Sequence, residues 1–206
     1  TAARQGLYFV AAGRERHYRL AMDILERLER IRPLVSRGAW SEAAGATAAE
    51  LDRVAGSPLR AAIESVDLSS YRQQLTEASR RAIEIARKRN AAAVYFEFDL
   101  DNDFESCFLV CSGYRPEADR DDDWAAEFDE AIEAGACHAL AEHYVAFDRD
   151  PTTRATTAFL IVRVLALVAE VLGQDGPATL ALCGGFHDQE AAFRFHETGL
   201  RRLASP

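Results

Sequence analysis

The sequence lacks the patterns that identify membrane and secreted proteins. No apolar run approaches the roughly 18 residues that cross a bilayer. The longest candidate, Ala158 to Leu172, is interrupted by Arg163 and Glu170, which favours a buried helix. No signal peptide is visible. The chain begins at Thr1 rather than at Met, so we expect that a leader or an earlier domain can precede it.

The sequence also lacks a cysteine framework. Its four cysteines, Cys107, Cys111, Cys137 and Cys183, contain no CxxC pair. Cys107 and Cys111 lie four residues apart on one predicted strand, on the same face but too far apart to bridge easily. We therefore expect free, buried thiols in a reducing cytoplasm.

A basic excess is absent, and the acidic excess is confined to one segment. The formal net charge is −9. Residues 1–114 hold 16 basic and 16 acidic side chains, and residues 151–206 hold five of each. Residues 115–150 hold 12 acidic against three basic side chains, which accounts for the whole imbalance. This sign disfavours nucleic-acid binding, which needs positive charge.

The segment from Ala91 to Ser112 predicts a β-hairpin. Phe96, Phe98 and Leu100 alternate with two carboxylates, Glu97 and Asp99, and this period of two is typical of a half-buried strand. The turn formers of residues 101–103 follow, and a second β-rich run covers residues 104–111. Helices before and after the hairpin are expected to pack on its apolar face.

Helical periodicity dominates the chain before the hairpin. We predict helices from Glu15 to Arg37, from Ser41 to about Val54 and from Pro58 to about Glu64, and a long helix from Ser69 or Ser70 to Asn90. Gly38 suits the position that follows a helix, because glycine adopts the left-handed conformation found there. The basic run of residues 87–89 suits the negative end of the long helix.

The chain after the hairpin predicts more helices and one strand. Trp124, Phe128 and Ile132 recur every four residues and predict an amphipathic helix. A helix from Ala136 to about Phe147 follows, and then a central apolar helix that starts at Thr152 or Thr153 and is most apolar from Phe159 to Leu172. Residues 178–183 predict a buried strand beside the hairpin, Gly184 and Gly185 a sharp exit, and Asp188 the cap of a final helix through residues 193–203.

These elements predict an α+β fold. The expected sheet is small and mostly antiparallel, and it is built from the hairpin of residues 92–112 and the strand of residues 178–183. Helices cover it. We divide the chain into a helical N-terminal subdomain, residues 1–66, and an α+β domain, residues 67–206.

No complete catalytic or metal-binding set is present. His138 and His143 are five residues apart, which does not give the geometry of a zinc-binding helix. The acidic residues 99–105 lack the glycine and the bidentate glutamate of a calcium loop, which favours a solvated turn. The Gly184–Asp188 turn, with Cys183, His187 and His196 nearby, leaves a small hydrolase or metal-dependent enzyme open as an alternative.

The acidic segment is the main candidate for a partner-binding site. A negative surface with interleaved aromatic side chains can attract and anchor a basic protein. A solvated charged face is the alternative interpretation. The candidate partner-binding residues are Glu117, Asp119, Asp121, Asp122, Asp123, Trp124, Glu127 and Phe128, and the acidic run continues through Asp129, Glu130 and Glu133.

The order of elements resembles a bacterial family catalogued as domain of unknown function 4303. The resemblance depends on Val94 to Phe98, on Asp123-Trp124 and on Thr179 to Asp188 with the following helix, and it covers residues 68–206. Cys111-Ser112-Gly113 stands where that family's polar signature is expected. The resemblance implies an immunity protein of a polymorphic toxin system, which is a small cytoplasmic inhibitor of a cognate toxin. No functional residue carries over from it.

The leading hypothesis is a cytoplasmic, non-enzymatic, immunity-type inhibitor without a cofactor. It would bind a basic toxin or effector through the acidic surface, and we expect neither nucleic acid nor a membrane as its partner. The enzyme around the Gly184–Asp188 turn is the second hypothesis. A structural or regulatory subunit that binds its partner through the N-terminal helices is the third.

Overall fold

The structure, a computed structural model, describes residues 24–115, 123–145, 150–175, 180–186 and 193–196, and it describes the backbone alone at residues 123, 124, 174, 175, 194 and 196. The described residues contain six α-helices, which we number in chain order. They are α1 (residues 24–35), α2 (Trp40–Ala55), α3 (Ser57–Glu64), α4 (Ser69–Arg89), α5 (His138–Ala141) and α6 (Pro151–Asp175).

Five strands form one sheet in the described part of the chain. They are β1 (Ala93–Asp99), β2 (Glu105–Cys111), β3 (Phe128–Gly135), β4 (Ala181–Phe186) and β5 (Phe193–His196). Their order across the sheet is β3-β2-β1-β4-β5. Only β1 and β4 are parallel, and the other three pairings are antiparallel. The α+β class and the mostly antiparallel sheet are therefore as predicted.

The hairpin is confirmed, and its turn has an unusual backbone. The amide of Glu105 donates to the carbonyl oxygen of Asn102 at 2.7 Å, and the two residues between them, Asp103 and Phe104, have φ of 51° and 59°. These positive angles are typical of the tight turns that join twisted strands. Phe104 is fully buried and its ring lies 5.9 Å from that of Phe98, so core packing stabilises a conformation that phenylalanine rarely adopts.

One face of the sheet carries the main core. Phe96, Phe98 and Phe108 are at most 1% exposed and pack in one cluster with residues of α4 and α6. Their rings lie close together, with 5.7 Å between the centroids of Phe96 and Phe98 and 5.1 Å between those of Phe96 and Phe108. The period-two alternation of the sequence thus places the aromatic side chains under the helices, as predicted.

Helix α6 is the centre of the helical layer and packs against both α2 and α4. Among the described helices it is the one long and apolar enough to cross a membrane, and 78% of its most apolar window is buried inside the protein. Both charges that interrupt its sequence have partners. Glu170 binds the guanidinium of Arg72 on α4 through two contacts of 2.6 and 2.9 Å. Arg163 donates to the carbonyl oxygens of Glu64 and Val66, at and just after the C-terminal end of α3.

The opposite face of the sheet is also buried in its central part. A second cluster contains small and apolar side chains from β1, β2 and β4, among them Tyr95, Leu109 and Cys183, together with Ala125. The four cysteines are free. The expectation of free thiols is therefore confirmed, and Cys107 is the one that is only partly buried.

The N-terminal helices share the main core. Leu28, Val35 and Leu51 are at most 2% exposed and belong to the same cluster as the sheet and α6. Gly38 has φ of 76° and its amide donates to the carbonyl oxygen of Val35, as expected after a helix end. Helix α2 begins at Trp40, and Ser41, which we predicted as its cap, lies inside the helix. Residues 15–23 of the predicted first helix lie outside the described residues.

The helix predicted around Trp124, Phe128 and Ile132 is wrong. Residues Asp123–Ala126 form one turn of 3-10 helix, and residues 128–135 form strand β3. Glutamate and alanine favour helix in isolation, but pairing with β2 overrides this local preference. Ile132 and Ala134 point into the core with the period of a strand. Phe128, which the helix would have buried with Ile132, is 48% exposed.

Three further predictions also need correction. The helix predicted from Ala136 to Phe147 is a single turn, α5, although Leu140 is buried as expected. Gly184 and Gly185 are not a turn, because they lie inside β4. Residues 193–196 of the predicted final helix are strand β5, which pairs with β4. Residues 187–192 and 197–206, including Asp188, lie outside the described residues.

Candidate partner-binding surface

The described part of the acidic segment lies at one edge of the sheet. Strand β3 is the first in the sheet order and pairs with β2 on one side. We call residues 127–133 the acidic edge. Glu117, Asp119, Asp121 and Asp122 lie outside the described residues, and Asp123 and Trp124 are described by their backbone alone. Of the acidic segment, the structure describes the side chains of Glu127, Phe128, Asp129, Glu130 and Glu133 at this edge of the sheet.

Most carboxylates of the acidic edge are free to meet a partner. Glu127, Asp129 and Glu133 are exposed. Glu130 instead points to the helical side of the sheet, where its Oε2 lies 2.5 Å from Nη2 of Arg89 at the end of α4. Its side chain is partly buried by this ion pair. Glu130 thus fixes the strand to α4, whereas the other three carboxylates face solvent.

Phe128 adds an apolar contact to this acidic surface. It is 48% exposed, and Val145 is the other large apolar side chain that is exposed among the described residues. It lies between Glu127 and Asp129 at the start of β3. Aromatic side chains at the centre of an interface often supply much of its binding energy. Phe128 is therefore the candidate anchor of this surface.

The negative field extends from β3 across the neighbouring strands. A depression of about 280 Å³ is lined by residues of β1, β2 and β3, among them Glu97, Glu105, Cys107 and Glu133. Burial raises the pKa of the Cys107 thiol to about 11, and the charges of Glu97, Glu105 and Glu133 add to this effect. The thiol is consequently neutral near pH 7, which makes it a poor nucleophile.

The carboxylates of the acidic hairpin turn contact other groups of the protein. The amide of Asp101 donates to Oδ1 of Asp99 at 2.9 Å, and the hydroxyl of Tyr144 donates to Oδ1 of Asp101 at 3.0 Å. Nδ1 of His138 lies 3.2 Å from Oδ2 of Asp103. Among the described residues no group of three or more His, Cys, Asp or Glu side chains has the geometry to hold a metal ion.

The described residues near Gly184 do not form the turn that the enzyme hypothesis expects. Cys183 is fully buried in β4, and Gly184 and Gly185 continue that strand instead of forming a loop. His196 is registered with Leu182 rather than with Cys183. His187 and Asp188 lie outside the described residues. The described residues thus give no strand-to-helix turn at which an anion or a nucleophile could be held.

Sequence reasoning found the acidic residues but missed that they lie on an edge strand. The available signal was the alternation of Ala131, Ile132, Glu133 and Ala134, of which the second and fourth are buried. The longer spacing from Trp124 to Phe128 to Ile132 obscured this pattern. Comparisons of the chain with protein-family models, with curated proteins and with solved structures gave no match.

Proposed function

We propose that this protein is a non-enzymatic, cytoplasmic inhibitor of the immunity type, which binds a basic toxin or effector through the acidic edge. One observation carries the proposal: the acidic edge presents three exposed carboxylates and a half-exposed phenylalanine. Such a surface complements a cationic one, and a protein that acts on nucleic acid must be cationic where it holds phosphates.

The distribution of charge supports a partner of positive sign. The acidic residues cluster in one segment. Outside that segment, ion pairs such as Arg72–Glu170 and Arg60–Asp52 balance charges locally. On the acidic edge only Glu130 has a described ion-pair partner of this kind. Uncompensated charge lowers the stability of a lone chain through repulsion, and a basic partner would relieve that repulsion.

Three of the cysteines, Cys107, Cys111 and Cys137, do not have the properties of a catalytic nucleophile. The pKa values of Cys107 and Cys111 are raised to about 11 and about 12, chiefly by burial. Burial also raises the pKa of Cys137. A nucleophilic cysteine needs the opposite shift, because the thiolate is the reactive form.

The test compares two triple variants of equal charge change. The acidic-edge variant carries Glu127→Gln, Asp129→Asn and Glu133→Gln. The control carries Glu26→Gln, Glu42→Gln and Glu64→Gln, which are exposed positions on α1, α2 and α3. Proteins that the wild-type chain captures from the native lysate are identified first. The association rate of each captured protein with wild type, with the acidic-edge variant and with the control is then measured at low and high salt.

We expect the acidic-edge variant to associate about tenfold more slowly than wild type at low salt, with a weaker salt dependence, because it lacks the charges that steer the encounter. The control variant should match wild type. The captured partner should stop cell growth when it is expressed alone, and co-expression of this chain should restore growth. Equal association of both triple variants, or a harmless partner, would refute the proposal.

A further inference from the structure

We infer that the acidic edge binds its partner by strand addition, in which a short extended basic segment of the partner pairs with the outer side of β3. This inference rests on the proposed function and names the binding mode and the chemistry of the bound segment. Strand addition uses main-chain hydrogen bonds for affinity and neighbouring side chains for specificity.

The direction of the backbone groups of β2 follows from one hydrogen bond and the strand registers. The carbonyl oxygen of Cys111 accepts a hydrogen bond from the amide of Ala92, the residue just before β1. The backbone N–H and C=O groups of Cys111 therefore face β1. Successive residues of a strand turn their N–H and C=O groups to opposite sides. The register between β1 and β2 is unbroken along this stretch, so the backbone N–H and C=O groups of Phe108 and Val110 face β3.

The same alternation shows which groups of β3 face outward. Phe108 is registered with Ile132, so the N–H and C=O groups of Ile132 face β2. Those of Ala131 and Glu133, its two neighbours, then point to the outer side of the sheet. Both residues are exposed, and the described residues place no further strand beside them. The small side chain of Ala131 leaves its backbone accessible to an incoming chain.

Irregularities on both sides limit the length of the bound segment. The register between β2 and β3 shifts where β3 carries an extra residue at Asp129 and again at Ala134. The carbonyl of Asp129 also accepts a 3.5 Å contact from Nη1 of Arg89. Regular pairing is available along residues 130–133 alone. The partner segment is therefore short, and its side chains must contribute to the affinity.

Charge decides which kind of strand fits. Like charges directly opposite each other in a sheet are destabilising, and opposite charges are favourable. A second copy of β3 would bring carboxylates against Glu133 and Asp129, so the acidic edge resists pairing with itself. Charged edges and bulges are devices that prevent such pairing between copies. A strand with lysine or arginine at alternate positions would instead meet Glu133 and the nearby Glu105 with opposite charge.

The test separates main-chain pairing from charge attraction. The probe is a fluorescent eight-residue peptide of alternating lysine and threonine, and its control has the four central amides N-methylated, which removes their donors and keeps the charges. Ala131→Pro removes the outward N–H at a site where an edge strand tolerates proline. Ala131→Val keeps that N–H and adds a side chain that suits a strand. Binding is followed by fluorescence anisotropy at low salt.

We expect the peptide to bind wild type and Ala131→Val within about threefold of each other, and to bind Ala131→Pro at least tenfold more weakly. The N-methylated peptide should lose a similar factor on wild type, a result that does not depend on the folding of the proline variant. The amide of Ala131 should exchange with solvent more slowly in the complex.

The outcomes distinguish this inference from the proposed function. Equal binding of both peptides to wild type, or no binding of the first peptide at millimolar concentration, would refute strand addition. If strand addition is refuted in this way but the acidic-edge variant binds the native partner more weakly than wild type, the proposed function stands and the binding depends on charge alone. If the native partner binds that variant as well as it binds wild type, the proposed function fails as well.

Discussion

At the scale of single residues, Gly184 shows how closely β4 packs. A β-carbon added there would lie 2.7 Å from the ring of Phe195 and 3.1 Å from the carbonyl oxygen of Phe96. The ring can move, but the carbonyl belongs to the central strand β1. We predict that Gly184→Ala lowers the free energy of unfolding by about 1–3 kcal/mol, as overpacked cores do, measured by urea denaturation.

Gly45 supplies the matched control, since it lies exposed in α2 with no atom within 4 Å of an added β-carbon. Gly45→Ala should raise the free energy of unfolding by about 0.5–1 kcal/mol, because alanine favours helix over glycine. A Gly184→Ala variant as stable as wild type would show that β4 yields to the added methyl group. The Gly184-Gly185 pair predicted a turn because glycine usually marks one, and sequence alone does not reveal that a neighbouring side chain needs the space.

At the scale of elements, Arg163 joins α6 to the end of α3. Its guanidinium donates to the carbonyl oxygens of Ile63, Glu64 and Val66, with distances of 3.1 Å from Nη2 to the last two. These carbonyls lie at or beyond the end of α3, where a helix leaves acceptors unsatisfied and carries partial negative charge. The charge that interrupts the apolar helix therefore caps its neighbour.

We predict that Arg163→Met lowers the free energy of unfolding by about 2–3 kcal/mol, because hydrogen bonds from a charged donor are lost while partly buried carbonyls stay behind. Arg53→Met, at a side chain that is 70% exposed, is the control and should change stability by less than about 0.5 kcal/mol. Urea denaturation measures both. Similar values for the two variants would contradict the capping role.

The elements that the sequence predicted well are those with strong local signals. The hairpin alternates aromatic and acidic residues, and α4 ends just before Asn90, which has the left-handed conformation with φ of 54°. Strand β3 was missed because its glutamates and alanines favour helix locally, and pairing with β2 overrides that preference. Strand β5, which pairs with β4, has only four residues, too few for a period to identify it. The acidic site was found by composition, whereas its position on an open edge depends on the pairing of β3 with β2.

At the scale of the whole molecule, the buried thiols and Tyr71 predict a loss of stability in alkali. Burial raises the pKa of Cys107 to about 11, that of Cys111 to about 12, and that of Tyr71 above its ordinary value. Above about pH 8.5 the unfolded chain releases thiol protons that the folded chain keeps. Since the unfolded state then binds fewer protons, the free energy of unfolding falls as the pH rises.

Urea midpoints at pH 7, 8, 9 and 10, under reducing conditions, test this expectation. The midpoint should change little between pH 7 and 8 and should decline from pH 9 to 10. A double variant with Cys107→Ser and Cys111→Ala should lose less between pH 7 and 10, whatever its stability at pH 7. An unchanged wild-type midpoint over this range would show that the thiols titrate alike in both states.

The predicted domain boundary near residue 66 does not coincide with a break in the packing of the core. Side chains of α1, α2 and α3 belong to one apolar cluster with the sheet and α6, and Arg163 crosses the boundary. Trp40 also packs against Phe195 of β5, with 5.3 Å between ring centroids. The division into residues 1–66 and 67–206 stays a prediction about folding units, and these contacts favour cooperative unfolding of the two parts.

The parallel pairing of β1 with β4 has a consequence for the nascent chain on the ribosome. β2 follows β1 directly in the chain, but β4, the other neighbour of β1, is made only after the whole of α6. At synthesis rates of about 5–20 residues per second, this delay lasts several seconds. Throughout it, Val94 and Phe96 lie on a strand whose second neighbour has not yet been translated. Chaperone capture of the growing polypeptide is therefore expected to peak before Ala181 leaves the exit tunnel.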